Sequence, residues 1–189
     1  MNNKGLLVIL SAPSGCGKDT VFKKLCSKRN DCVESISATT RKPREGEEEG
    51  VNYFFKTEKE FEELIDNHGL LEYARYNNSY YGTPVAGVEK AIKDGKICFL
   101  IIDVQGAKNI MKMRPDSVSI FLLPPSIEIL EKRLNNRQTN DPEDIKRRME
   151  LARDEIANSS LYKYNVVNDD LDVAVNEISR ILDNELKNK

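Results

Sequence analysis

The sequence predicts an α/β fold, a parallel sheet with helices on both faces. Three observations predict it. Short apolar runs rich in β-branched residues recur along the chain, amphipathic helical segments separate them, and the first run passes through a glycine-rich turn straight into a helix. The strand candidates are "LLVIL" at 6–10, "KICFLIID" at 96–103, "SVSIFLL" at 117–123 and "YNVVN" at 164–168. Each is short and continuously apolar, the pattern of a strand buried on both faces. Helical spacing of apolar residues marks 18–28, 85–94, 106–112, 127–136, 144–157 and 171–186. Strand and helix in alternation require crossover connections, and these make the sheet parallel.

Two segments break the alternation. Residues 35–83 carry short aromatic strand candidates, "NYFF" and "LLEYARY", around the helix "EKEFEELID", which Thr57 and Glu60 open with a capping box. They read as a small mixed α/β insertion. Residues 135–148 are polar and arginine-rich, with Asp141-Pro142 as N-cap and first-turn proline, and read as a helical lid. The rest, 1–34, 84–134 and 149–189, forms the core.

Composition excludes several functions. A chain of 189 residues with 39% hydrophobic and 32% charged residues builds a real core under a well-solvated surface. Net charge is −2, so no global basic field favours nucleic acid or an anionic membrane, and any anion site must be local. Cys16, Cys26, Cys32 and Cys98 show no C-x-x-C pairing, which speaks against zinc ribbons and a disulfide framework and for a reducing cytoplasm. His68 is the only histidine, so a histidine-based metal site or triad is not expected. The N-terminal apolar run is too short for a signal peptide, and no segment approaches a membrane span.

The chemistry begins at "SAPSGCGKDT". A strand, a glycine-rich turn and a helix in succession form a phosphate cradle: the loop Ala12, Pro13, Ser14, Gly15, Cys16 and Gly17 would wrap the phosphates and present the backbone N–H groups of all but Pro13, Lys18 would reach the terminal phosphates, and Thr20 would offer a hydroxyl. Ala12 replaces the first glycine of the usual pattern and Asp19 its hydroxyl residue. Asp19 either joins a magnesium shell or points outward as a first-turn acid favoured by the helix dipole. In "TTRKPREGE", Arg41 and Arg44 flank Pro43 in a non-helical segment and would converge on one anion, with Tyr53 and Tyr81 adding hydroxyls. Two anion sites in one small domain suggest phosphoryl transfer.

Glu72, inside an apolar strand candidate, would point into a pocket, where a guanine ring N–H and exocyclic amine supply the donors a buried carboxylate needs. Ser37 and Thr83 would address the rest of the base. Asp103 ends "FLIIDVQG", the strand-end position that commonly handles magnesium and its waters. Asp103 also begins a D-x-x-G pattern, but no Asn-Lys-x-Asp guanine motif accompanies it, which leaves a GTP-hydrolysing switch unsupported. Arg133, Arg137 and Arg148 cluster around the lid.

Taken together and in order, "SAPSGCGK", "TTRKPREGE", the Tyr80–Thr83 run "YYGT", "IDVQGA", "LLPPS", Arg137-Gln138-Thr139, Arg148 and "VVNDDLD" resemble the guanylate kinase family nearly end to end. The resemblance implies a phosphate-loop core, a GMP-binding insertion and a lid. It implies transfer of the γ-phosphoryl group of ATP to GMP or dGMP with magnesium, by a monomer or homodimer. By motif, Ser37, Glu72 and Thr83 would hold guanine, and Arg41, Arg44, Tyr53 and Tyr81 the GMP phosphate, with Asp103 beside it. Lys18, Arg41, Arg137 and Arg148 would be catalytic, Arg133, Asn168 and Asp172 would lie near adenine, and Asp103 and Asp19 would serve the metal. The sequence departs from the family at Ala12, at Asp19, and at Ile101, where the family usually has an acidic residue. Two rivals are a non-catalytic phosphopeptide-binding module of the same fold and a kinase for another nucleoside monophosphate.

Overall fold

The computed structural model describes residues 5–135 and 142–188. Its strands are β1 (Leu6–Ser11), β2 (Cys32–Glu34), β3 (Ala38–Thr39), β4 (Phe54–Phe55), β5 (Leu70–Tyr76), β6 (Ser79–Pro84), β7 (Ile97–Ile101), β8 (Val118–Leu123) and β9 (Tyr164–Val167). Its helices are α1 (Lys18–Lys28), α2 (Glu58–Asp66), α3 (Val85–Lys93), α4 (Val104–Met113), α5 (Ile127–Asn135), α6 (Pro142–Ala157) and α7 (Leu171–Lys187).

Five parallel strands form the core sheet in the order β2-β7-β1-β8-β9. All six residues of the central β1 are buried, which is why it reads as an unbroken apolar run. Val21, Phe22 and Leu25 of α1 and Val175, Ile178 and Leu182 of α7 pack on one face of the sheet; Val88 of α3 and Ala107 and Ile110 of α4 pack on the other. The strand ends therefore gather the turns before α1 and α4 at one edge, the usual ligand edge of an open parallel sheet. The sequence pattern does not mark β2: three residues at the sheet margin, one of them exposed, are too few to show a period.

The insertion is a four-stranded sheet, β4-β3-β6-β5, covered by α2. Its capping box forms as expected, with Glu60 N donating to Thr57 Oγ1 and Thr57 N to Glu60 Oε2. The β5–β6 hairpin turns through Asn77 and Asn78, both at positive φ (47° and 62°), the geometry of a two-residue hairpin turn. A register shift follows: Leu70 pairs with Pro84 but Tyr73 with Gly82, so Leu71 and Glu72 together face Thr83. This bulge turns Glu72 out of simple alternation.

Gly82 lies where β5, β6 and α2 close up. A Cβ there would stand 2.8 Å from the Glu72 carbonyl oxygen and 3.1 Å from Cζ of the fully buried Phe61. Gly82→Ala is expected to destabilise the protein by about 1–3 kcal/mol, the usual cost of overpacking, measured by denaturant unfolding. An unchanged midpoint would show that the two strands part freely.

Leu130 and Leu134 of α5 and Met149 and Ala152 of α6 form a third apolar cluster. α6 runs without a break through residue 148, so the core boundary expected at 149 falls inside a helix whose later turns are packed. Asp141, the expected cap, and Arg137 lie outside the described residues.

Candidate active site

The phosphate loop forms where β1 meets α1. Gly15 and Gly17 both adopt φ of 86°, and Gly17, left-handed, caps α1. Neither position tolerates a side chain: a Cβ on Gly15 would meet Leu134 Cδ2 at 2.7 Å, and one on Gly17 would meet Asn168 Nδ2 at 3.1 Å. Ala12, by contrast, is buried and shows no positive φ, so its methyl group costs the loop nothing.

Several groups brace the loop. Cys16 Sγ lies 3.6 Å from the Leu122 carbonyl oxygen of β8, and burial pushes the thiol up to about 11. Asn168 Nδ2 donates to the Cys16 carbonyl (2.7 Å), while both terminal nitrogens of Arg133 donate to the Asn168 carbonyl (3.1 and 3.0 Å). Arg133 and Asn168, expected near adenine, thus meet each other and support the loop from below β9. Asp172 is ion-paired to Lys28 (2.7 Å) and Lys24, along α1. Arg148 Nη2 donates to Ser14 Oγ (2.6 Å), so this expected catalytic arginine does reach the loop. Thr20 is exposed on the first turn of α1.

Ser37, Tyr53, Glu72, Tyr81, Ile101 and Asp103 line a cavity of about 420 Å³ between the insertion and the core sheet. Thr83, fully buried, donates its hydroxyl to Glu72 Oε1 (2.8 Å). Burial raises the Glu72 carboxyl above its ordinary value; Thr83 draws it down, and Asp103 adds to the rise. The second oxygen is left to a ligand with N–H groups to offer.

Arg41 is already engaged. Its Nη2 donates to Glu47 Oε1 (2.8 Å), its guanidinium lies 5.4 Å from the Tyr53 ring centre, and Glu47, then Tyr81, favour its charged form. Glu47 Oε2 also accepts the Arg44 backbone N–H (2.7 Å), so one carboxylate occupies the point where the two arginines were expected to meet an anion. Glu47 closes the quoted segment "TTRKPREGE", but that segment points only to its arginines; the place of Glu47 three residues after Arg44 is the signal of its role. The Arg44 side chain is exposed and makes no hydrogen bond to a described residue.

Asp103 Oδ1 caps α4 by accepting Gly106 N–H (2.7 Å), which starts that helix two residues earlier than expected. Asp19 is 72% exposed, with its carboxylate 3.9 Å from Lys18 Nζ. Among the described residues no three acidic, histidine or cysteine groups converge as a metal cage. Two separate carboxylates fit magnesium nonetheless, because that ion usually keeps its waters and takes its other oxygens from substrate phosphates.

A phosphate loop followed by a lysine and a base-sized cavity ending on a carboxylate describe a nucleotide kinase, and similarity to known proteins says which. The guanylate kinase family model matches residues 4–185. A guanylate kinase of Rickettsia felis is 50% identical over 182 residues, 96% of this chain and 95% of the relative. One of Enterococcus faecalis is 47% identical over 186 residues, 98% and 91% of the two chains. The crystal structure of guanylate kinase from Anaplasma phagocytophilum superposes with a TM-score of 0.72 at 36% identity, over 97% of this chain and 87% of that one. The chain belongs to the guanylate kinase family.

Proposed function

We infer that this protein is a guanylate kinase, transferring the γ-phosphoryl group of ATP to a phosphate oxygen of GMP and releasing ADP and GDP. The observation that carries the reading is the cavity in which Glu72 waits with one carboxylate oxygen free, set across Asp103 from a phosphate loop that keeps Lys18 available. Guanine presents a ring N–H and an amine side by side, and adenine does not present that pair. Ser37 completes the base contacts. Arg41, Arg44, Tyr53 and Tyr81 would clamp the GMP phosphate, with the GMP phosphate displacing Glu47 from Arg41.

Phosphoryl transfer is a matter of position and charge. The loop N–H groups fix the β-phosphate of ATP, and Lys18 and Arg148 neutralise charge on the migrating group. The GMP oxygen attacks in line, the bond to the ADP oxygen breaks, and no protein nucleophile takes part. Magnesium would be held by Asp103, with Asp19 at the margin, and would supply further neutralisation of the phosphates. Arg137 would join Lys18 and Arg148. The four cysteines, all unpaired, support a cytoplasmic setting, and no described helix is long and apolar enough to cross a membrane.

A coupled assay of ADP release with GMP, AMP, UMP and CMP tests the reading: turnover is expected with GMP alone, and equal turnover with AMP would overturn the assignment of Glu72. Asp19 gives a second test. Its exposed carboxylate beside the loop repels metal-free ATP, so Asp19→Ser is expected to bind ATP in EDTA about threefold more tightly, an exposed-charge effect that salt screens. Saturating magnesium should shrink the difference. Identical affinities under both conditions, by titration calorimetry, would leave Asp19 with no part in nucleotide binding.

A further inference from the structure

Two walls of the Glu72 cavity take no part in the contacts assigned to GMP. One is Tyr76, the last residue of β5, and the other is Gly106, in the first turn of α4; both line the cavity. Tyr76 is 67% exposed, more than any other large hydrophobic side chain among the described residues. Of the three tyrosines in the cavity, Tyr53 and Tyr81 lie against each other, 6.1 Å between ring centres, and only Tyr76 meets no ring or guanidinium among the described residues.

Strand register fixes the face from which Tyr76 works. On β6, Tyr81 and Thr83 are two residues apart and share a face, and Thr83 donates to Glu72 there. Ala74 pairs with Tyr81 and Tyr76 with Ser79, which puts both on that same face. Ala74 offers only a methyl group, so β5 leaves the space between the Glu72 carboxylate and the Tyr76 ring open. Tyr73, the other exposed tyrosine of β5, pairs with Gly82 and stands on the opposite face, outside the cavity. Arg75 reaches the rim, but its guanidinium lies over the Tyr80 ring at 5.1 Å.

The backbone at Gly106 does not require a glycine. Its φ is not positive, and a Cβ there would meet nothing nearer than Asp103 Oδ1 at 3.5 Å, an ordinary contact. Alanine would suit the helix better. What the missing side chain does is keep this wall bare. An unengaged aromatic ring and a bare stretch of helix thus bound one cavity, and a planar ring fits between walls of that kind.

We propose that Tyr76 is a substrate-binding residue that stacks on the nucleoside of GMP, with Gly106 forming the bare wall on the other side, while Glu72 reads the edge of the base. The proposal rests on the guanylate kinase reading and divides its tasks between two residues. Stacking hardly distinguishes one base from another, because every base has a π-face, so Tyr76 supplies affinity and Glu72 supplies choice.

Titration calorimetry of the parent, Tyr76→Phe and Tyr76→Ala with GMP, IMP and ATP–magnesium tests it, IMP having the ring N–H of GMP without its amine. Tyr76→Ala is expected to weaken GMP and IMP by the same factor, about tenfold, the loss for one base–aromatic stack, with their ratio and the ATP affinity unchanged. Tyr76→Phe keeps the ring and should bind as the parent does. GMP affinity in Tyr76→Ala equal to that of the parent overturns the proposal. So does a Phe variant as weak as the Ala variant, which makes the hydroxyl the operative group, or a changed GMP-to-IMP ratio, which makes Tyr76 a reader of the base edge, or a parallel loss of ATP affinity, which marks a general defect. A measurement on the parent stands even where Tyr76→Ala does not fold: nitration of Tyr76 by tetranitromethane, followed by peptide mass, should be slowed by saturating GMP and not by ATP–magnesium, and equal rates with and without GMP sink the idea. A parent that binds neither GMP nor IMP refutes the kinase reading and the proposal with it, whereas a parent that binds GMP and loses nothing in Tyr76→Ala refutes the role of Tyr76 alone.

Discussion

Lys18→Met is expected to lower turnover by about two to three orders of magnitude, the usual loss when one preorganised donor to transition-state charge is removed. The Michaelis constant for GMP should hardly move. The size follows from what surrounds the ammonium. Its nearest carboxylate, Asp19, is 3.9 Å away and largely exposed, so Lys18 is not consumed by a resident ion pair and can follow the phosphoryl group. Methionine keeps the length of the apolar stem, and a partly exposed side chain of this kind carries little of the fold, so the unfolding midpoint should stay close to that of the parent. Steady-state kinetics showing turnover within tenfold of the parent would remove Lys18 from the chemistry.

Glu72→Gln is expected to weaken GMP by about 1.5–3 kcal/mol, the range for hydrogen bonds to a charged group, with ATP affinity unchanged. The substitution keeps the shape and the contact from Thr83 and removes only the paired acceptance of two guanine N–H groups. A pH dependence goes with it. Burial places the Glu72 carboxyl above its ordinary 4.5 in the folded enzyme, so the folded state holds that proton more tightly than the unfolded chain does. Stability owed to this group therefore rises as pH falls through the raised value, and the cost of the buried charge is fully present at neutral pH. GMP binding runs the other way: it needs the ionised form, so affinity should fall on acidification through the same raised value. The GMP phosphate titrates too, but equally in both proteins, so the difference between parent and variant isolates Glu72. A parallel loss of ATP and GMP affinity in calorimetry would point to damaged folding instead.

Much of this architecture was legible in the sequence. Among the described residues, the long apolar runs and helical periods located four of the five core strands and every α-helix, because buried parallel strands and amphipathic helices leave strong periodic marks. What escaped notice was short or non-local. β2 is three residues long; the bulge that sets Glu72 against Thr83 depends on pairing with a strand eleven residues away, which no local pattern reports. The site shows the same division. Residues that act through a local motif, Lys18 and the loop glycines, could be named from spacing. Glu47 could not, since a glutamate in a charged stretch looks like solvated surface until the fold sets it against Arg41. Asn168 and Arg133 could be assigned to the nucleotide end but not to their tasks, because the contact to the Cys16 carbonyl spans 152 residues of chain.

Cys16 sits among the groups that embrace phosphate, yet its sulfur turns away from them toward the Leu122 carbonyl and holds its proton to about pH 11. Only the thiolate attacks electrophiles or peroxide at a useful rate. A cysteine in a catalytic loop would ordinarily make an enzyme vulnerable to alkylation and oxidation, and here that exposure is absent while the loop is intact. Chemical labelling of Cys16 thus becomes a built-in reporter of integrity: the thiol is shielded while loop and sheet remain joined, and a reagent that finds it has found a molecule in which they have separated.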